Sequence, residues 1–303
     1  MRNLTILAVV AMLSTVSIAA AAENLDVSVS ASYMSKYLWH GYDLYDNEGA
    51  FKTTVSISSK ELSAYADVSY ISPMGSGRAY TNAEEYNNIL TAGETGYPIG
   101  QSDEWDFTVG VLQTLLEGDI GQADIDFSYS YYHFGDVKRW ETLNTIGGPM
   151  RQKTLDWSGE DRDLQEIAVD IEMPNLIDGR IIPHYRLAYI FEAGGYGGSA
   201  YSQGDNELPL GQDVAYFEHA LGLRTTLNDY GTPVYASVDV FYNDGKQDIQ
   251  ESGFSRVLAG LAAEFDLGVG KLVPAIYYQG AIANDVYNLE DELFATVTYK
   301  IDF

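Results

Sequence analysis

Twelve segments of about ten residues, each alternating apolar and polar side chains, are joined by connections that are tight and long by turns. One face of nearly every segment is free of charge and the other carries ionisable groups, so the sheet has a lipid-compatible outside and a wet inside. The chain closes on an amphipathic strand that stops at an aromatic residue, Phe303. These observations predict an all-β fold, a transmembrane antiparallel up-and-down β-barrel of about 12 strands with short turns at one end and long loops at the other. Closure is forced, because a sheet edge in hydrocarbon leaves backbone donors and acceptors unsatisfied at several kcal/mol each.

The order along the chain begins with Met1-Arg2-Asn3, the apolar run Leu4–Leu13 and the small residues Ser17–Ala22. That pattern predicts a secretory signal peptide over residues 1–22, cut before Glu23, with a barrel domain over 23–303. The apolar run is too short to span a bilayer, and no later stretch approaches the length of a spanning helix. With no cysteine, neither a disulfide framework nor a lipid-modified cysteine is available. The 24 tyrosines, 11 phenylalanines and 29 glycines suit many two-faced strands and their turns.

The first strand is predicted from Leu25 to Tyr42, with Val27, Val29, Ala31 and Tyr33 outward. Phe51–Ser58, Leu62–Ile71, Glu104–Gln113, Ala123–Phe134 and Asp163–Met173 follow, each with odd or even parity fixed by its apolar residues. Ile181–Glu192, Val214–Leu227, Val234–Tyr242 and Phe254–Leu267 continue the pattern. Leu272–Gly280 leaves its parity open, because Pro274 interrupts it and Ile276-Tyr277-Tyr278 is apolar on both faces. Phe294–Phe303 closes the sheet, with Phe303, Ile301, Tyr299, Val297 and Ala295 on one side.

The even-to-odd connections, Ser59–Glu61, Thr114–Gln122, Pro174–Arg180, Asn228–Pro233 and Gly268–Lys271, are short and built from turn residues. The odd-to-even connections include Ser72–Asp103, Gly135–Arg162 and Ala193–Asp213. Long loops confined to one end, an even strand count and termini on the same side are the layout of an outer-membrane barrel, with short periplasmic turns and long extracellular loops. The closing strand also resembles those of bacterial outer-membrane barrels. That resemblance implies the outer membrane as location, its lipids and lipopolysaccharide as surroundings, and the barrel assembly machinery as a partner that reads Phe303.

On this parity Asp106, Asp126, Asp170, Arg186, Arg224 and Arg256 face the lumen and are the expected pore-lining residues. Acids concentrate on the fourth to sixth strands and bases on the seventh to tenth and the last. With 44 acidic against 17 basic residues and a net charge of −27, nucleic acid and other polyanions are excluded as partners. The excess predicts weak preference for cations in a channel passing small hydrophilic solutes by diffusion. The opposite arrangement stays open: Arg186, Arg224 and Arg256 pair with Glu218, Glu264 and Asp266 and fill a plugged barrel, whose acidic outer loops bind a partner or a cation. The balanced loop Gly135–Arg162 either folds inward as a constriction or packs on the rim. Asp43–Glu48 and Asp285–Glu292 are acidic but match no calcium-loop spacing, so no metal site and no cofactor are expected.

Tyr37, Trp39, Trp105, Tyr131, Tyr185, Tyr242 and Tyr299 lie toward strand ends and are expected as interfacial girdles. His219 falls on the outer face, the one position suited to lipid chemistry. No Gly-x-Ser-x-Gly elbow accompanies it, and the sequence does not predict an enzyme.

The segment from Ser32 to Ala50 resembles the N-terminal signature of the TorF-type porin family, through Ser35, Tyr37, Trp39, Gly41, Asp46 and Ala50. His40 stands where that pattern has Arg, and Gly49 where it has Pro. The resemblance covers about twenty residues and implies an outer-membrane pore for small solutes, with no catalytic residue.

Overall fold

In a computed structural model the described residues are 25–43, 45, 49–74, 103–134, 137–143, 151–157, 163–177, 179–192, 215–227, 232–244, 252–282 and 291–303. The expected leader and most of the extracellular loops lie outside them; of the two acidic stretches, Asp43, Tyr45, Asp291 and Glu292 are described.

The wall consists of β1 (Leu25–Met34), β2 (Ala50–Ser59), β3 (Ala64–Pro73), β4 (Glu104–Leu115), β5 (Ala123–Phe134) and β6 (Leu164–Glu172). It continues through β7 (Ile181–Glu192), β8 (Ala215–Leu227), β9 (Val234–Asp244), β10 (Gly253–Ala263), β11 (Lys271–Ala281) and β12 (Glu292–Asp302). Every strand pairs antiparallel with its sequence neighbours, and the pairing Val29↔Ile301 joins β12 to β1. The sheet is a closed 12-stranded barrel with no edge.

The faces are inverted relative to a water-soluble protein. Outward residues such as Phe107, Val109, Leu221 and Ile276 are 43–65% exposed, while Glu104, Glu166, Glu218, Arg256 and Gln279 face inward and are at most 4% exposed. An apolar exterior around a charged interior is the architecture of an outer-membrane barrel. Inside, the Tyr65 ring lies where a side chain on Gly110 would be, and its hydroxyl donates to Asp126.

Two strand boundaries depart most from expectation. β1 ends at Met34, eight residues before Tyr42, because the chain turns into the lumen there. The tenth segment breaks at Glu264, and only Phe265–Asp266 continues the pairing, with Leu272 and Lys271. The open parity of β11 resolves with Ile276 and Tyr278 outward and Gln279 inward. Between β5 and β6, Val137–Leu143 and Arg151–Trp157 form a separate two-stranded ladder.

Candidate functional site

The segment that leaves β1 builds the site. Leu38–Trp39 pairs with Tyr42–Asp43 across a two-residue loop, His40–Gly41, whose φ values are +46° and +93°. Positive φ at both loop residues is the type I′ hairpin turn, which matches strand twist and favours Gly at its second position. Gly41 is required twice over, since a Cβ there would sit 2.9 Å from Arg256 Cδ.

This small hairpin occupies the extracellular half of the lumen and touches wall strands all round it. Tyr37 donates to Glu104 Oε1 of β4 at 3.0 Å. Trp39 packs edge-on against Tyr132 and Phe134 of β5, with centroids 5.7 and 6.4 Å apart. His40 Nε2 lies 3.0 Å from Glu166 of β6, and His40 Nδ1 lies 3.0 Å from Glu218 of β8. Gln279 of β11 donates to the Gly41 carbonyl at 2.8 Å, and Lys36 pairs with Glu292 of β12.

Its seat is apolar. Ala168, Ala188, Ile190 and Tyr216 form one buried cluster under Trp39, and Tyr37, Tyr45, Ala50, Ile71 and Phe134 form another. Ile71, Ile190, Ala188, Tyr216 and Phe134 occupy inward positions of their strands and would meet lumen water without this cover. Full burial of an Ile is worth roughly 1.5–3 kcal/mol. Tyr37 and Trp39 are thus part of the lumen filling, not of the girdle expected of them. Trp105, Tyr131, Tyr185 and Tyr242 do face outward. His219 is out there too, accepting from or donating to the Tyr185 hydroxyl through Nδ1 at 2.7 Å.

Carboxylates only accept and a neutral imidazole has one donor, so a ring with carboxylates on both nitrogens is an imidazolium. Burial pulls the His40 pKa down, but Glu218 and Glu166 outweigh it and hold the ring up at about 9. The Tyr37 and Tyr45 hydroxyls are pushed up by burial and by Glu104, so they stay neutral donors.

All six expected lining residues face the lumen, but as pairs more than as opposed arcs. Arg186 bridges Glu166 and Asp170. Arg224 reaches past β7 to Glu172 at 2.7 Å, and Arg256 reaches past β9 to Glu218 at 2.8 Å while its guanidinium lies 3.7 Å over the Phe241 ring. Asn243 also donates to Glu218, and a register shift opposite Phe241/Tyr242 leaves Ser255 free to donate to Asn243. Of the pairings expected in a filled interior, Arg256–Glu218 is present, whereas Glu264 pairs with Lys271. Asp106 accepts from Lys52 at 3.2 Å, and Asp126 sits across from Asp170 in the ladder.

The periplasmic half differs. A polar cavity of about 320 Å³ opens there, lined by Asp26, Ser28, Ser56, Ser58, Lys300 and Asp302. Among the described residues no group of three or more acids or histidines is arranged to hold a metal ion.

The hairpin was missed in the sequence although its residues Tyr37, Trp39 and Gly41 are among those that carry the TorF-type resemblance. Its signal was present: Ile71, Phe134, Ile190 and Tyr216 are apolar at inward parity, all near the extracellular ends of their strands.

No protein-family model matches the chain, and no curated protein matches its sequence. Among solved structures, the KdgM porin aligns over 91% of this chain and 99% of its own at 5% identity and a TM-score of 0.47. The NanC porin covers 91% and 98% at 10% identity and 0.44, and the β domain of the Bordetella autotransporter BrkA 92% and 99% at 14% identity and 0.42. Likenesses this distant carry no argument about function; the barrel stands on its own strand pairing and faces.

Proposed function

We propose that the protein is an outer-membrane channel for passive diffusion of small hydrophilic solutes, weakly preferring cations, and not an enzyme. The observation that carries this reading is a charged, water-compatible lumen inside a closed apolar wall, open as a polar cavity at its periplasmic end. Twelve strands allow only a narrow passage, and the inward hairpin fills part of it. The cation preference rests on the β4–β5 arc. Glu104, Asp106, Asp124 and Asp126 face the lumen there, and Lys52 is the one basic side chain bonded to them among the described residues. Phe303, exposed just past β12, is the aromatic residue the assembly machinery would read, and the TorF-type resemblance belongs to the same proposal.

The test is single-channel current from the refolded protein in a planar bilayer under a salt gradient. Stable steps with a cation-selective reversal potential are expected, and Asp106→Asn with Asp126→Asn should move that potential toward zero. An unchanged potential would overturn the lining assignment. The second reading, a barrel closed by its own hairpin whose outer loops bind a partner, is favoured by the filled extracellular half and predicts a silent bilayer for the intact protein at every pH.

A further inference from the structure

Resting on the channel reading, we propose that the hairpin is a displaceable gate, locked shut by the insertion of His40 between Glu166 and Glu218. Its two ends are fixed to the wall. Ser35 N–H donates to the Ala295 carbonyl at 2.8 Å, and Met74 N–H donates to the Gly49 carbonyl at 2.8 Å. The tip between these anchors is held by the His40 contacts, the Tyr37–Glu104 bond, the Gly41–Gln279 bond and apolar cover.

What makes the tip displaceable is that the wall is charge-satisfied without it. Glu166 keeps Arg186, and Glu218 keeps Arg256 and Asn243, when His40 leaves. His40 itself moves to water, where an imidazolium is well solvated. Neither Glu166 nor Glu218 is left without a cationic partner by opening, so displacing the tip costs the His40 contacts themselves but not the further penalty of stranding either carboxylate unpaired. Opening also returns backbone freedom worth roughly 1–2 kcal/mol per released residue, a term of the same order as the apolar cover it loses. Terms so close in size make a two-state element.

The groups facing His40 are Glu166 of β6 and Glu218 of β8, with the Tyr216 ring of β8 at 6.5 Å. Behind them stand Arg186 of β7 and Arg256 of β10, and Trp39 lies against the ring from the hairpin itself. The His40 pKa is raised in the closed state, so its contribution to closure is full below its free-solution value and is lost as pH rises through about 9.

Conductance of the full-length barrel is compared at about pH 7 and about pH 10.5 for wild type, His40→Gln and His40→Arg, the arginine staying charged throughout. A further variant has Tyr37–Asp43 replaced by a Gly-Ser linker, with folding checked by circular dichroism. Wild type is expected to conduct weakly at neutral pH and several-fold more in alkali. His40→Gln and the linker variant should conduct at the higher level at both pH values, and His40→Arg at the lower level at both. If the linker variant conducts as wild type does at neutral pH, the gate is overturned and the channel reading stands. A folded linker variant that passes no current overturns the channel reading as well. Should His40→Gln not fold, the wild-type pH pair and the linker variant decide between these outcomes.

Discussion

The two ends of the lumen hold the same chemistry in opposite settings. Near the extracellular rim, Arg256 and Glu218 form an ion pair whose side chains are each 4% exposed, roofed by the hairpin and backed by Asn243 and Phe241. Near the periplasmic rim, Arg224 and Glu172 form an ion pair at nearly the same distance, 45% and 33% exposed. Both join strands that are not neighbours in the sheet. The difference lies in what covers them: a folded segment of the chain in one case, water in the other. An ion pair inside a barrel is therefore not one kind of object. Under cover it is part of a packed core turned inside out, and in the open vestibule it is a screened surface pair that tunes the field seen by a solute.

The largest effect is expected where one partner of the covered pair is removed. Glu218→Ala leaves both Arg256 and His40 facing a site without their carboxylate, and breaking a buried pair in this way costs about 3–5 kcal/mol. Denaturant unfolding of the barrel in detergent should show that loss, together with freer conduction as the hairpin loses its lock. A loss below 1 kcal/mol, an order set by exposed pairs, would mean that the extracellular half is as wet as the periplasmic one. The smallest effect is expected at the other rim. Arg224→Gln should change stability by no more than about 1 kcal/mol, since exposed ion pairs contribute little. It should still shift the reversal potential further toward cations, because Glu172 is then left uncompensated. A stability loss equal to that of Glu218→Ala would erase the contrast between the two ends.

Most of the wall was legible in the sequence because one physical rule governs it. A strand between lipid and water must alternate, and the alternation locates both its face and its length. It failed where the rule has no force. Pro274 and the Ile276–Tyr278 run left β11 ambiguous, and only its pairing with β10 and β12 puts Ile276 and Tyr278 outside. Tyr37 and Trp39 looked like girdle residues because strand parity was carried past Met34, where the wall strand has ended. The lumen filling was not legible as such, since it depends on which segment returns to which strand. Its seat was legible in part. Ile71, Phe134, Ile190 and Tyr216 break alternation on the inside face of four strands, and apolar residues there have no reason to face water. His40 carried no local signal at all: its role comes from Glu166 and Glu218, which are brought to it only by closure of the barrel.

The most direct test of this account exploits the absence of cysteine from the chain. Single cysteines at Ala188, buried under Trp39, and at Ser56, on the wall of the periplasmic cavity, are exposed to a membrane-impermeant thiol reagent in refolded protein. The account predicts rapid labelling at Ser56→Cys, slow labelling at Ala188→Cys, and rapid labelling at both once Tyr37–Asp43 is replaced by a linker. Equally rapid labelling at both positions with the hairpin intact would contradict it.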